Sequence, residues 1–293
     1  MSDADLPDAA YAAALAGLDQ LTPTRLAALV RAGPSREVWA MVSGAGTAGV
    51  EVSTAVSTAV GRLWSRAPTL RDAWRASASR RPPGRVWEAC VASGTQVVVI
   101  GEPGYPEVLA VDPLPPPVLF ARGDMSVLDG RRVGVVGTRN ATEGGRRMAT
   151  KLGRELADAG VRVVSGLARG IDGCAHAGAI AARRAAPDTA DAAGRIGHDA
   201  PAAGPGVGPP VAVVASGPDV PYPKDHVRLW TEVVEHGVLL SEHPPGSPPL
   251  PGWFPLRNRI IAALSEVLVV VESRAAGGSQ GSATIDQLIP RAC

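Results

Sequence analysis

Between Val164 and Ile180 the chain reads VSGLARGIDGCAHAGAI, and Arg169, Asp172, Cys174 and His176 fall within eight residues of it. A guanidinium, a carboxylate, a thiol and an imidazole around one turn could catalyse, hold a metal, or cradle an anion. Asp172 and His176 stand four apart, so a helix carries them on one face. That spacing suits two metal ligands or an acid–base pair. It also suits a structural pair that pins a helix start, with the carboxylate at the positive helix end, and we read the two residues in that way. Cys174 lies off that face and reads as packing.

The elements that must position these groups come from the hydrophobic pattern. Apolar runs Val133–Val136, Val161–Val164, Val211–Ala215, Val238–Leu240 and Val267–Val271 alternate with helical stretches at Glu143–Ala159, Ile171–Arg184, Lys224–His236, Phe254–Leu264 and Ala283–Ile289. Uninterrupted apolar strands alternating with helices predict an α/β fold, a mostly parallel sheet with both faces covered. Ligands of such sheets sit beyond the carboxyl ends of the strands, where helix N-termini favour anions.

Those ends deliver Gly137-Thr138-Arg139-Asn140, Ser165-Gly166 through Arg169-Gly170, Tyr222-Pro223-Lys224, Ser241-Glu242, and Glu272-Ser273-Arg274. Glycine admits close backbone approach, and hydroxyls and arginines grip phosphate oxygens. No loop reads GxxxxGK[ST] or GxGxxG, so the pattern predicts a phosphate-lined cleft rather than a triphosphate or dinucleotide site. In FPLRNRIIAAL the residues Ile260, Ile261 and Leu264 face a core, and Arg257, Asn258 and Arg259 occupy the first turns. Cations there oppose the helix dipole. The expectation is an anion at Arg257 and a structural pair at Arg259, with Glu242 as a candidate partner.

Composition is less informative. The 293 residues carry a formal net charge of +1, and only Lys151 and Lys224 are lysines. The arginine excess reads as a GC-rich coding bias, so arginine number alone is no evidence for nucleic acid. Three distant cysteines with no CxxC pair argue against a zinc knuckle or a disulfide framework. The acidic N-terminus lacks the plan of a signal peptide, and no apolar run approaches the roughly 20 residues of a membrane helix. A soluble cytoplasmic protein is expected, with no cofactor or bound metal. Residues 8 to 42 read as short helices, and residues 43 to 85 as helix fragments and linker. VVVIGEPGYPEVL reads as strand, turn and short helix. DPLPPPVLFARGD reads as an extended polyproline segment rather than a central strand. Residues 185 to 210, rich in Gly, Ala and Pro, read as a surface insertion.

Taken in order, GVVGTRNAT, VVSGLARGIDGCAHAGAI, VAVVASGPDVPYPKDH, LLSEHPPG and FPLRNRIIAALSEVLVVVES resemble the DprA/Smf DNA-processing proteins. The resemblance covers roughly residues 95 to 284. It implies an extended Rossmann-like core over residues 86–293, preceded by a SAM-like or helix-hairpin-helix-like helical module and linker over residues 1–85. It implies a non-enzymatic protein that binds and protects single-stranded DNA in natural transformation, helps load the RecA recombinase, and forms a homodimer. The family's Gly-Ser/Thr-Arg loop falls on Gly137, Thr138 and Arg139. Its second loop falls on Ser165, Gly166, Arg169, Gly170, Asp172 and His176. Its Phe-Pro-x-Arg-Asn-Arg motif falls on Phe254, Pro255, Arg257, Asn258 and Arg259. Lys224 completes the expected DNA-binding set, with Asp172, His176, Glu242 and Arg259 as its support. Tyr222, Trp253 and Phe254 are the candidate stacking surfaces.

The chain departs from the pattern after the fifth of these strands, where AAGGSQGSATIDQLIPRAC replaces an SGSLxTA-like motif. The core is therefore expected to be incomplete at its C-terminal end. GGSQGSATID also faintly resembles the Pro-Gly-Gly-x-Gly-Thr loop of Rossmann-like nucleoside-monophosphate phosphoribohydrolases, which makes that enzyme class the alternative. A nucleotide-sensing regulatory domain is the third reading.

Overall fold

The computed structural model describes residues 5–44, 50–186 and 206–273. The chain divides into two compact units, the first comprising Met1–Ala121, Ala215–Val220 and Ser241–Pro249, the second Arg122–Val214, Pro221–Leu240 and Leu250–Cys293.

The first unit begins with helices α1 (Asp8–Ala16), α2 (Pro23–Val30), α3 (Ser35–Ser43), α4 (Thr54–Arg66), α5 (Thr69–Arg80) and α6 (Pro83–Ala92). The Thr22 hydroxyl accepts from the Arg25 amide and Pro23 takes the first helical position, so α2 starts where the sequence signals it. Tyr11, Leu15, Leu29, Val38, Val60, Leu70 and Trp74 form the core. The stretch that composition reads as fragments and linker holds α4, α5 and the start of α6. Ser53 caps α4, and Val56/Val60 and Leu70/Trp74 each bury an i, i+4 pair. Alanine is the best helix former, so two apolar anchors per helix suffice here.

Strand β1 (Gln96–Val99) pairs antiparallel with β2 (Val118–Gly123), with the short helix α7 (Glu107–Ala110) between them. Strand β2 corrects the polyproline expectation, because Val118 to Ala121 stand in register with Val99 to Gln96 of β1. The prolines end at Pro117. From Val118 onward every residue keeps the N–H a ladder requires, and Val118 to Ala121 are fully buried.

The second unit contains β3 (Arg132–Val136), α8 (Glu143–Asp158), β4 (Arg162–Ser165), α9 (Ile171–Ala185), β5 (Val211–Val214), α10 (Val227–His236), β6 (Val238–Ser241), α11 (Trp253–Leu264) and β7 (Val267–Val270). The predicted alternation is present as far as β7, with boundaries moved by one to three residues. Strand β3 pairs in parallel with β4 and β7, and β4 with β5. The chain is thus α/β with a mostly parallel sheet. Val135 and Val163 pack with Ile171, Ala175 and Ala179 of α9 on one face. By the strand alternation Gly134 points to the other face, where it meets Ser265 at the end of α11. Helices α8 and α9 approach so closely that a Cβ on Gly153 or Gly178 would overlap the facing backbone. Among the described strands β7 lies at an edge, beside β3, and keeps Val267 and Val270 exposed, unlike the other parallel strands. The expected Ala283–Ile289 helix, and residues 187–205 of the insertion, lie outside the described residues.

Candidate nucleic-acid interface

Parallel pairing brings the carboxyl ends of β3, β4, β5 and β7 to one edge of the second unit. The loop after β3 and the loop after β4 touch there: the Ile171 amide donates to the Thr138 carbonyl at 3.3 Å. Gly170 has φ of +81°, and a Cβ there would strike the Thr138 and Arg139 carbonyls. Only glycine joins that conformation to that approach.

The buried floor is Arg257 with Asp172. Arg257 is 5% exposed and Asp172 6%. Arg257 Nη1 donates to the Gly166 carbonyl at 2.7 Å and to the Val213 carbonyl. Gly166 has to be glycine, because a Cβ would occupy the guanidinium position. Burial pulls the Arg257 pKa down to about 10, against the favourable Asp172 charge. Burial likewise raises the Asp172 pKa, against the Arg257 charge and hydrogen bonds from the Ala168 and Gly166 amides. The charge that acts on the buried Arg257 guanidinium is the Asp172 carboxylate, and each favours the ionised form of the other. Arg257, expected to meet the anion, is the brace beneath the loops. Glu242 belongs to the first unit, and Arg259 is half-buried on α11.

Asp172 and His176 do not bond each other. His176 is fully buried, and its Nε2 donates to the Val211 carbonyl at 3.2 Å. Its Nδ1 is buried with no hydrogen-bond partner. Burial is the largest cause of a pKa lowered to about 4, with the Arg257 and His226 charges adding to it. The folded state thus holds His176 neutral while the unfolded chain protonates it near 6.5. A depressed histidine pKa means that stability falls as pH drops from about 6.5 to about 4, by about 3 kcal/mol. Asp172 acts with the opposite sign, so the difference curve is the readout. Chemical denaturation from pH 7 to pH 4 should show His176→Gln losing less stability than the wild type. Parallel curves would contradict the neutral assignment.

Ser165 does not face a ligand either: its buried hydroxyl donates to the Val135 carbonyl at 2.6 Å. Arg169 is exposed but paired, with Nη2 2.5 Å from Asp225 Oδ2. Thr138 Oγ1 accepts from the Asn140 amide at 3.3 Å. The N-terminus of α8, expected to offer amides to an anion, is met by Glu272. Its carboxylate accepts from the Thr142 amide at 3.0 Å and the Thr142 hydroxyl at 2.9 Å. Asn258 is half-buried on α11. Among the described residues no group of three or more His, Cys, Asp or Glu could hold a metal.

What remains on the surface is compact. The Arg139 guanidinium lies 4.7 Å from the Phe254 ring centroid. Phe254 in turn stacks, tilted, 5.5 Å from Tyr222. Tyr222 is 44% exposed, and the exposed Lys224 stands two residues beyond it. A guanidinium lying on a ring keeps its edge N–H groups free for in-plane acceptors. A cation and two aromatic rings are therefore adjacent, and a second exposed cation follows the tyrosine by two residues in sequence. Sequence reasoning missed three contributors: Asp225, His226 and Leu167. Leu167 is buried at φ of +53°, and its carbonyl accepts from His226 Nδ1 at 2.9 Å. A non-glycine residue at positive φ is a local cost that the surrounding packing must hold. Nothing in the letters LAR signals it.

The model of the family described as DNA recombination-mediator protein A matches residues 96–289. The chain belongs to that family. It is 38% identical over 196 residues to the DNA processing protein DprA of Bacillus subtilis (strain 168), covering 67% of this chain and 58% of that protein. It is 35% identical over 176 residues to protein Smf of Escherichia coli (strain K12), covering 60% of this chain and 41% of that one. The chain thus spans about half the length of the curated relatives it matches. The X-ray structure of DprA from Streptococcus pneumoniae shares the fold at a TM-score of 0.67 and 23% identity, covering 98% of this chain and 84% of that one. A DprA structure from Helicobacter pylori, described by its single-stranded DNA binding mode, aligns at a TM-score of 0.51 and 25% identity. It covers 68% of this chain and 79% of that one. Arg139, Arg257 and Phe254 all lie inside the span of the family match. No helix among the described residues is long and apolar enough to cross a membrane.

Proposed function

We propose that this chain binds single-stranded DNA without sequence preference through Arg139, Phe254, Tyr222 and Lys224, as a non-enzymatic DNA-processing protein of the cytoplasm. The observation that carries this reading is the Arg139 guanidinium lying over the Phe254 ring beside an exposed tyrosine. Sequence-independent single-strand binding needs cations for the backbone and ring faces for the bases. This surface offers both. Protection of incoming strands, handover to a RecA-type recombinase and homodimer formation complete the proposal, supported by family membership. A site built from exposed cations and rings, with its carboxylate and imidazole buried beneath, has the character of a docking surface rather than a reaction centre.

The test is a titration of fluorescent single-stranded and duplex oligonucleotides across a range of salt. Single strands should bind more tightly, and the logarithm of the affinity should fall linearly with the logarithm of salt, about 0.7 per neutralised phosphate. Lys224→Gln should lower that slope by about 0.7 and leave base composition irrelevant. Salt-independent binding, or a preference for duplex, contradicts the proposal.

A further inference from the structure

The first unit carries a second concentration of positive charge that the site above does not use. Helix α4 exposes Arg62 and Arg66, and α5 exposes Arg71 and Arg75. Each pair stands at i, i+4 on its own helix, where like charges repel. A GC-rich coding bias accounts for arginine number but not for this arrangement, as α8 shows. There Arg147, Lys151 and Arg154 each pair with a carboxylate four residues away, Glu143, Glu155 and Asp158. None of Arg62, Arg66, Arg71 and Arg75 has an ion-pair partner among the described residues. The next arginine along, Arg80, does have one, in Asp19. The arrangement is also held in place. The Arg71 guanidinium lies 5.2 Å from the Trp64 ring centroid, so an α5 cation is fixed against α4. Arg75 packs against Gly44, where a Cβ would stand 2.7 Å from its Nε.

The geometry points to a nucleic-acid backbone as the partner of this arginine ridge, a phosphate-contacting surface separate from the Arg139 site. Four residues of helix advance about 6 Å, so each pair spaces its charges on the scale of successive phosphates of a strand. A membrane surface would need an apolar stripe beside the cations. Here Val56, Val60, Leu70 and Trp74 of these helices are buried in the core of the unit, and Leu63 and Trp64 are partly buried and packed against it. Such a ridge lets a protein hold a longer stretch of strand than the rings of the second unit alone can cover.

The experiment compares the full chain with a variant carrying Arg62→Gln, Arg66→Gln, Arg71→Gln and Arg75→Gln, using a single-stranded oligonucleotide of about 40 nucleotides. Glutamine matches arginine in helix propensity and relieves the repulsion, so circular dichroism and the thermal midpoint should be preserved. The salt slope should fall by about 3, four contacts at about 0.7 each, with affinity lowered at least about ten-fold near 0.1 M salt. The two double variants, Arg62/Arg66 and Arg71/Arg75, should each remove about half of that drop, and they keep the test usable if the quadruple variant folds poorly. An unchanged slope and affinity overturns the inference. So does an unchanged DNA slope accompanied by four-arginine-dependent binding to phosphatidylserine vesicles. Arg139→Ala, run beside these variants, separates the two readings. Loss of binding there with no loss in the ridge variants removes the ridge and keeps the Arg139 site, and the reverse pattern removes the Arg139 site and keeps the ridge.

Discussion

Replacing Arg257 with leucine is expected to lower folding stability by about 2–6 kcal/mol, because two buried carbonyls lose their donor at about 1–3 kcal/mol each. The guanidinium is 5% exposed and supplies two carbonyls with hydrogen bonds. Leucine fills part of the space but leaves the Gly166 and Val213 carbonyls without that donor, and Asp172 without its countercharge. Asp172 can relieve its share by taking up a proton, since burial already raises its pKa. The deficit should therefore shrink as pH falls toward the carboxylate range, and Asp172→Asn in the Arg257→Leu background should recover part of it. Chemical denaturation at pH 7 and pH 5 measures both effects. A deficit below about 1 kcal/mol would match an exposed arginine instead, and would return Arg257 to the list of ligand contacts.

That role was legible in the sequence, though the dipole argument obscured it. Ile260, Ile261 and Leu264 define the core-facing stripe of α11, and Arg257 stands three, four and seven residues before them. Helical spacing puts it on the same stripe. A cation on a core stripe calls for a buried carboxylate, and Asp172 was already marked at the positive end of α9. The strand-helix alternation was legible because parallel strands buried on both faces leave unbroken apolar runs, as in Val211–Val214. Strand β2 was obscured because four prolines crowd the segment just before it, although none lies within it. Glu272 at the N-terminus of α8 lies 130 residues from Thr142, and Arg169 meets Asp225 across 56. Contacts at such separations depend on how the strands are ordered, which residue types and spacing do not encode. The stacking of Arg139 on Phe254 belongs to the same class, though both residues were singled out for their types.

Arg139 carries the other large expected effect. Its guanidinium does two things at once: the face lies on Phe254, and the edge remains available to a phosphate. Arg139→Ala removes both and should weaken single-stranded DNA binding about ten- to a hundred-fold, the range expected when hydrogen bonds to a charged group, about 1.5–3 kcal/mol, are lost. Arg139→Lys keeps the charge but loses the planar fork and the flat stacking face. It should therefore resemble alanine more than the wild type in affinity, while retaining the wild-type salt slope, because the charge still displaces counterions. Phe254→Leu tests the platform from the other side. It leaves the cation in place but removes its ring support and a stacking face, so it should lower affinity without changing the slope. The fold should survive in all three variants, since Arg139 is exposed and Phe254 only half-buried. Circular dichroism provides that control. If Arg139→Lys binds like the wild type, a point charge suffices and the planar contact is irrelevant. If Arg139→Ala also binds like the wild type, the strand does not pass over this edge of the sheet, and the ridge on α4 and α5 becomes the first place to look for it.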